Sequence, residues 1–284
     1  MTGTHIQFEG FGRRLDAYLA LPSAPPDRHP AILLVHGIWG LDGHIRDVAE
    51  RLAEEGYLTL APDLYSGKWR TQWTPERISA ALRAMEEVPP EIRAESELLA
   101  RHLAGRPGSW QAVAAPLVEL QTPSQQRAFE EDLFAALRLL ARRTDVVPGA
   151  IAAVGFSLGG GLSHLLTTHG GGLRCAVVFY GTAPPRTRSP TPGIPVLGLY
   201  GGGDSAVTGT VPSWEETVRG AGARFEVHVY PGAPHGFFDE TRGSFRREAA
   251  QDAWEKTLRF LAAELSPHPG DGASATPRPP EPPR

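Results

Sequence analysis

The sequence predicts an α/β fold with a mostly parallel central sheet, helices on both faces and a helical insertion. Three observations point to this class. Apolar runs such as 31–35 are continuous rather than alternating, which is typical of strands buried on both faces of a parallel sheet. Segments with a helical period, such as 42–56, follow these runs. Turn-forming residues separate the two, and the alternation of strand and helix predicts βαβ units.

Composition allows a sizeable core and argues against several classes of partner. The chain has 284 residues, 41% of them hydrophobic, and a formal net charge of −4. This balance gives no electrostatic reason to expect nucleic acid or an anionic membrane as a partner. No apolar stretch approaches ~18 residues and the first ten lack a basic start, so we expect neither a membrane span nor a signal peptide. Together with a single cysteine, Cys175, these features predict a cytoplasmic protein.

The first elements in chain order are a hairpin, a strand and a helix. Two apolar stretches, 5–8 and 15–21, flank Gly10-Phe11-Gly12 and predict an antiparallel hairpin. The run 31–35 predicts a buried strand, with a loop at 36–40 on its carboxyl end. From Asp42 or Gly43 the apolar residues share one helical face, and a strand at 57–61 follows.

Residues 66–127 interrupt this rhythm. About sixty residues between consecutive strands are too many for an ordinary connection, so we predict an insertion with its own helices. A charged helical segment is expected from Pro75 to about Leu103, and another apolar stretch covers 113–120. The insertion either forms a lid over the carboxyl edge of the sheet or packs elsewhere on the surface.

The remaining elements complete a domain over residues 1–265. In order, we predict a helix at 129–141, a strand at 150–154, a helix at 158–166, strands at 175–180 and 195–200, a short helix at 214–218, a strand at 224–230 and a helix at 245–265. Residues 266–284 contain seven prolines and almost no large apolar side chains. We expect this tail to be disordered.

A Gly-x-Ser-x-Gly sequence at 155–159 is the strongest candidate for chemistry. A serine hydroxyl is a poor nucleophile at neutral pH, so catalysis must expose it, activate it and stabilise the oxyanion that its attack creates. A strand precedes Ser157, a helix follows it, and the flanking glycines leave room for a sharp turn that lifts the hydroxyl off the sheet. We predict a nucleophile here, rather than an idle serine at a glycine-rich helix start.

A base and an acid follow Ser157 at the ends of later predicted strands. His235 comes after the last strand and Asp204 lies in a triglycine turn after the strand before it, so the three side chains should meet at one edge of the sheet. His235 would take the proton from Ser157, and Asp204 would orient the imidazole. Asp63 is the alternative acid, and His36 is expected to brace its loop rather than act as the base.

Two backbone amides are the predicted oxyanion donors. The Leu158 amide lies at the start of the helix, where an anion is stabilised. The second donor should come from the loop after the earlier central strand, with Ile38 as first choice and Gly37 as second. The other histidines have no partners at ligand spacing, so we expect no metal site and no other cofactor.

Five motifs give the chain a resemblance to a known family. They are H-G-I-W-G at 36–40, A-P-D-L-Y at 61–65, G-F-S-L-G-G at 155–160, G-x-x-D ending at Asp204, and Y-P-G-A-P-H-G-F at 230–237. With them the chain resembles the dienelactone hydrolases of the α/β-hydrolase fold, over residues 5–265 apart from the insertion. The resemblance implies that fold and a hydrolase.

Three positions depart from the family pattern. Members acting on dienelactone carry a cysteine nucleophile where this chain has Ser157, and a glutamate where it has Gly37. They also hold the substrate carboxylate with an arginine a few residues past the histidine, where this chain has Phe237-Phe238-Asp239. Because a serine paired with a histidine needs no auxiliary glutamate, the chemistry is retained, whereas the specificity for an anionic lactone does not carry over.

These features predict a serine-dependent hydrolase of small carboxylic esters or lactones that forms an acyl-enzyme. Two alternatives stay open: a thioester or amide hydrolase with the same triad, and a non-catalytic protein that binds a small ligand. Aromatic candidates for an apolar substrate pocket are Trp39, Trp69, Trp73, Tyr180 and Phe237, although core or lid packing is the more common role for such residues. The sequence does not address the oligomeric state.

Overall fold

The computed structural model describes residues 3–10, 12–23, 27–89, 92, 96–184 and 190–266. The chain divides into two compact units. The first comprises the residues up to Leu64 together with those from Glu130 onward, and the second is Tyr65–Phe129. The tail that we predict to be disordered lies outside the described residues, apart from Ser266.

An eight-stranded sheet forms the centre of the first unit. The strands are β1 (Thr4–Glu9), β2 (Arg14–Ala20), β3 (His29–Val35), β4 (Leu58–Pro62), β5 (Val146–Phe156), β6 (Cys175–Phe179), β7 (Val196–Gly201) and β8 (Phe225–Tyr230). Their order is β1-β2-β4-β3-β5-β6-β7-β8. β1 and β2 form the predicted antiparallel hairpin, β2 also pairs antiparallel with β4, and the pairings from β4 to β8 are parallel. The predicted α/β class is confirmed.

One strand is longer than predicted. We expected residues 150–154, but β5 covers Val146–Phe156. Its pairing with β3 shifts register just after His29. Pro148 has no amide hydrogen to donate and Gly149 has a φ of 76°, so the ladder is interrupted there and resumes beyond. A Pro-Gly pair normally marks a turn, which is why the sequence pattern suggested a later start.

Nine helices are found among the described residues. They are α1 (Gly43–Glu54), α2 (Pro75–Glu86), α3 (Ser96–Ala104), α4 (Gly108–Leu120), α5 (Pro123–Arg142), α6 (Leu158–Leu166), α7 (Ser205–Thr208), α8 (Val211–Gly220) and α9 (Arg247–Leu265), with a short 3₁₀ helix at Gly67–Thr71. Asp42 is the N-cap of α1, and its side chain accepts from the Ile45 amide at 3.1 Å. This satisfies one of the first-turn amides that an α-helix leaves without an internal partner.

The hydrophobic core explains why the strands are continuous apolar runs. Alternate residues of β5 and β6 share one buried cluster with α1 and α9. Members of that cluster include Ala152, Val154, Val177, Phe179, Val48, Leu52, Ala253 and Leu261. Helix α6 packs instead against β3, β5 and β6. Each fully buried Val, Leu or Phe stabilises the fold by about 1.5–3 kcal/mol, so this sheet is a rigid base for the loops at its carboxyl edge.

The second unit is helical and has its own aromatic cluster. Trp73 is buried, its ring stacks on Trp69 with centroids 4.3 Å apart, and it makes edge contacts with Tyr65 and Phe129. The predicted helical segment from Pro75 to Leu103 is divided, because α2 ends at Glu86, ahead of Pro89, which cannot continue a helix. The hypothesis that this segment forms a lid stays a prediction.

Two further features are the apolar character of the helices and the environment of Cys175. None of the helices in the described part of the chain combines the length and apolar character that a bilayer span requires. Cys175 is fully buried on β6, and burial raises the pKa of its thiol. A thiol in that environment is a packing group rather than a nucleophile.

A buried histidine makes the stability of the first unit depend on pH. His164 on α6 is 0% exposed and lies beside the rings of Trp214 and Phe225, and its burial lowers its pKa to about 3. Between pH 6.5 and about 3 the unfolded chain binds a proton at this residue and the folded chain does not, so the free energy of unfolding falls as the pH falls.

We expect His164 to contribute a loss of about 2 kcal/mol in the free energy of unfolding between pH 8 and pH 5. Urea unfolding at both pH values would measure it in the wild type and in His164→Gln, in which the difference should shrink. The free energy of unfolding of the variant still depends on pH to some extent, because burial also lowers the pKa of His36. An equal difference in the two proteins would contradict the prediction.

Candidate active site

Ser157 lies on a sharp turn between β5 and α6. Its backbone has φ 54° and ψ −114°, a conformation that residues other than glycine rarely adopt. The Ser157 amide donates to the Phe179 carbonyl on the neighbouring strand at 2.9 Å. That bond holds the strained backbone in place.

The glycines around Ser157 allow this turn because no side chain fits at their positions. A Cβ on Gly155 would lie 2.1 Å from the Gly159 carbonyl oxygen, and a Cβ on Gly159 would lie 2.2 Å from that of Val35. A Cβ on Gly160 would come within 2.8 Å of the Phe179 carbonyl oxygen. The G-x-S-x-G-G sequence therefore allows α6 to approach β3 and β6 closely.

Three side chains from distant parts of the sequence form one chain of hydrogen bonds. Ser157 Oγ lies 2.8 Å from His235 Nε2. On the other side of the imidazole, His235 Nδ1 lies 2.6 Å from Asp204 Oδ2. The Asp204 side chain is 11% exposed and that of His235 46%. A carboxylate that is mostly shielded from water thus contacts an imidazole that remains open to a substrate.

The loop after β7 fixes Asp204. Asp204 is the N-cap of α7, where its Oδ1 accepts from the Val207 amide at 3.4 Å while Oδ2 faces the histidine. The triglycine sequence before it permits close contact with the histidine loop, since Gly203 N donates to the Ala233 carbonyl at 2.9 Å. A Cβ on Gly201 would lie 2.4 Å from the same carbonyl oxygen.

The loop after β8 fixes His235. A turn closes just before it, with the Ala233 amide donating to the Tyr230 carbonyl at 3.2 Å. Gly236 has a φ of 74°, and its carbonyl accepts from Ser244 Oγ at 3.1 Å. The His235 ring lies 5.0 Å from the ring of Tyr180, which limits its rotation. Both loops are thus held by contacts of their own, in addition to the contact between Asp204 and His235.

The predicted oxyanion donors lie on either side of Ser157. The Leu158 amide is at the first position of α6, and a backbone bond of that helix runs from Gly161 N to Ser157 O. First-turn amides of a helix point outward without an internal acceptor. The loop of Ile38 adjoins Ser157, because a Cβ on Gly37 would be 3.5 Å from Ser157 Cβ. Their role as donors remains a prediction.

His36 supports the loop, as expected. It is fully buried, its Nε2 accepts from the Leu64 amide at 3.1 Å, and its Nδ1 lies 2.7 Å from the Gly37 carbonyl oxygen. A carbonyl can only accept, so Nδ1 carries the proton and the ring is neutral. Burial lowers the pKa of His36, and the Asp63 carboxylate opposes this effect. The carboxylate that contacts His235 is that of Asp204 and not that of Asp63.

The aromatic pocket candidates lie in different environments. Tyr180 and Phe237 are 3% and 0% exposed and belong to the main core cluster, so their bulk packs inside the fold. Trp73 is likewise buried, within the cluster of the second unit that also holds Trp69. Trp39 is half-buried, and its ring contacts the guanidinium of Arg242 at 3.7 Å. The sequence pattern did not predict this contact, because it joins two loops far apart along the chain.

Among the described residues there is no group of three or more His, Cys, Asp or Glu side chains that is arranged to hold a metal ion. Near Ser157, His235 has an acid on one side and a hydroxyl on the other, so both of its nitrogens are engaged. These contacts would allow a proton to pass between the hydroxyl and the imidazole.

The mostly parallel sheet, the serine on a strand-to-helix turn and the acid and histidine on later loops together define the α/β-hydrolase fold. Comparison with known proteins gives the family. The model of the dienelactone hydrolase family matches residues 15–265, and the chain belongs to that family. It is therefore a carboxylic-ester hydrolase, of the type that acts on esters or lactones.

Individual relatives agree with this placement. A protein of Saccharolobus solfataricus named "Putative carboxymethylenebutenolidase" is 31% identical over 268 residues, which cover 90% of this chain and 96% of that protein. The crystal structure named "Putative Dienelactone Hydrolase" from Klebsiella pneumoniae is 27% identical, with a TM-score of 0.68, and the match covers 92% of this chain and 98% of that one. Esterase 2 of Thermogutta terrifontis, at 19% identity and a TM-score of 0.62, shares the fold, with 94% and 96% of the two chains covered.

Proposed function

We propose that this protein hydrolyses small carboxylic esters or lactones through an acyl-enzyme on Ser157, with His235 as the base and Asp204 as its orienting acid. The observation that supports it most is the continuous set of hydrogen bonds from Ser157 Oγ through the imidazole to Asp204. A hydroxyl, a base and an acid in this sequence form the arrangement that activates a serine.

In the first half of the proposed reaction, Ser157 Oγ attacks the ester carbonyl carbon. Its proton passes to His235 Nε2 across the 2.8 Å contact, and the carbonyl oxygen becomes an oxyanion. The amides of Leu158 and Ile38 donate to that oxyanion. The Asp204 carboxylate, 2.6 Å from Nδ1, stabilises the imidazolium while it carries the proton.

The tetrahedral intermediate then collapses. The carbonyl re-forms, the bond to the alkoxy group breaks, and His235 gives its proton to the departing alcohol. The acyl group remains as an ester on Ser157. Water deprotonated by His235 attacks this ester in the second half, and loss of the carboxylic acid returns the proton to Ser157 Oγ.

The proposed partner is a small neutral ester or lactone. At the positions where the family resemblance would place an arginine for a substrate carboxylate, this chain has Phe237 and Phe238, which are buried, and Asp239, an acid. These positions therefore provide no positive charge to bind an anionic substrate. The proposed substrates are neutral, whereas the family members that act on dienelactone take an anionic lactone.

A fluorophosphonate probe tests the proposal independently of the natural substrate. Such a probe reacts with an activated serine and not with an ordinary one. We expect one label per chain on the folded protein, located on Ser157 by mass spectrometry of its peptides, and no label after denaturation. Ser157→Ala should abolish labelling. A folded wild-type protein that takes up no label would favour the non-catalytic binding protein instead.

A further inference from the structure

Arg242 belongs to the loop that follows His235, yet it contacts the loop that follows β3. Its guanidinium carbon lies 3.7 Å from the centroid of the Trp39 ring. Trp39 is the neighbour in sequence of Ile38, the predicted second oxyanion donor. A planar guanidinium at this distance from an indole makes a cation–π contact. Because the two loops are far apart along the chain, this contact joins separate parts of the sequence.

Two carboxylates hold the guanidinium in place. Arg242 Nε lies 3.3 Å from Asp239 Oδ2, and Arg242 Nη2 lies 3.8 Å from Asp42 Oδ2. Each carboxylate is itself fixed on its own loop. Asp239 accepts from the Thr241 amide at 3.0 Å, and Asp42 accepts from the Ile45 amide at 3.1 Å as the cap of α1. Arg242 thus has a rigid support on both loops.

The loop that Arg242 contacts is short and tightly turned. Gly40 N donates to the Gly37 carbonyl at 3.2 Å, and Asp42 N donates to the Gly40 carbonyl at 2.9 Å. These bonds restrict the backbone between Gly37 and Asp42, which carries both Trp39 and the Ile38 amide. A contact that holds Trp39 therefore restrains the position of this short turn as a whole.

We propose that Arg242 is a positioning residue that fastens the loop after β3, which carries Ile38, to the loop after β8, which carries His235. The Ile38 amide and His235 thereby keep a fixed position relative to Ser157. This inference rests on the proposed function. It assigns Arg242 no contact with the substrate, and the effect is transmitted through Trp39.

The charges around Arg242 argue against a role in binding a substrate anion. Its one positive charge lies between the two negative charges of Asp42 and Asp239. Both carboxylates also contribute to raising the pKa of Tyr180, after the larger effect of burial. Arg46 also reaches this region, with its Nε 3.3 Å from the Asp42 carbonyl oxygen. The charge of Arg242 is therefore already balanced by the two carboxylates, which leaves little attraction for a substrate carboxylate.

The chain offers a matched control. Arg51 makes a cation–π contact with Trp254 at 4.2 Å, is paired with Asp47 at 3.8 Å, and has the same side-chain exposure as Arg242, 35%. It lies on α1 and is also 5.7 Å from the ring centroid of Phe238 in the loop after β8, but it contacts none of Ser157, His235 and Asp204 in the structure. Arg51→Ala removes the same kinds of contact and leaves the two loops joined.

The experiment measures kcat and KM on a neutral short p-nitrophenyl ester for the wild type, Arg242→Ala, Arg242→Lys and Arg51→Ala. We expect kcat to fall about 10- to 100-fold in Arg242→Ala, with KM changed less than about threefold. The reason is that a displaced Ile38 amide would stabilise the oxyanion of the transition state less well, while binding of the ground-state substrate does not depend on it. Arg242→Lys keeps the charge between the two carboxylates, and thus the fold, but cannot stack as a plane, so kcat should fall there as well.

Several results would overturn the inference. One is a kcat within about twofold of the wild type in both Arg242 variants, and another is an equal loss in Arg51→Ala. A third is a loss confined to KM on an anionic ester, which would make Arg242 a substrate-binding group. Hydrolysis by the wild type that is unaffected by Ser157→Ala would overturn the proposed function itself, and this inference with it, whereas normal dependence on Ser157 leaves the Arg242 variants to decide the inference alone.

Discussion

Replacing Ser157 by alanine should lower kcat on a short p-nitrophenyl ester by about 10⁶-fold, the loss measured for a protease with an equivalent triad. The physical reason is that, among the described residues, Ser157 is the hydroxyl in contact with His235 Nε2, at 2.8 Å, so the variant lacks the group that forms the acyl-enzyme. Substrate binding does not use the nucleophile, and KM should change much less. The measurement is steady-state kinetics on protein freed of contaminating esterases.

Ser163→Ala is the matched control for this variant. Ser163 lies on α6, the helix that begins directly after Ser157. It is fully buried, and its Oγ has no hydrogen-bond partner among the described residues. Removing that hydroxyl should leave kcat within a few-fold of the wild type, since a buried hydroxyl without a partner contributes no favourable bond. A Ser157→Ala enzyme that retains kcat within tenfold of the wild type would refute the nucleophile.

Asp204→Asn should lower kcat by about 10⁴-fold, as the equivalent change does in a serine protease. Asparagine can still accept from the Val207 amide and cap α7, so the fold of the loop should survive. Its amide nitrogen, however, cannot accept from His235 Nδ1. The imidazole is then stabilised in the wrong tautomer, and its Nε2 presents a proton to Ser157 instead of a lone pair.

Asp63→Asn distinguishes the two acids that the sequence leaves open. If Asp204 orients the imidazole, kcat should fall greatly in Asp204→Asn. Asp63→Asn should then have a smaller effect, which arises from the electrostatic interaction of Asp63 with His36. The reverse order of effects would show that Asp63 is the acid and that the 2.6 Å contact of Asp204 with His235 has no catalytic consequence. Circular dichroism and urea unfolding would verify that both variants are folded.

The fold could be predicted because its signals are local. Continuous apolar runs mark strands that are buried on both faces, and glycines flank Ser157 where a Cβ would lie about 2 Å from a backbone oxygen. The boundaries were less accurate. The sequence pattern places the start of β5 too late, because Pro148 and Gly149 lie inside the strand. It also makes the helical segment after Pro75 too long, because α2 ends ahead of Pro89.

By itself, the sequence determined the α/β class, the turn at Ser157 and the three residues that now form a chain of hydrogen bonds, since each lies directly after a strand and parallel strands end at one edge of a sheet. Only the tertiary structure decided that Asp204 rather than Asp63 contacts His235, that Phe237 and Tyr180 are core residues, and that Arg242 lies against Trp39. Contacts of this second kind join side chains of different loops. Their geometry depends on how the whole sheet places those loops, and no pattern within either loop records it.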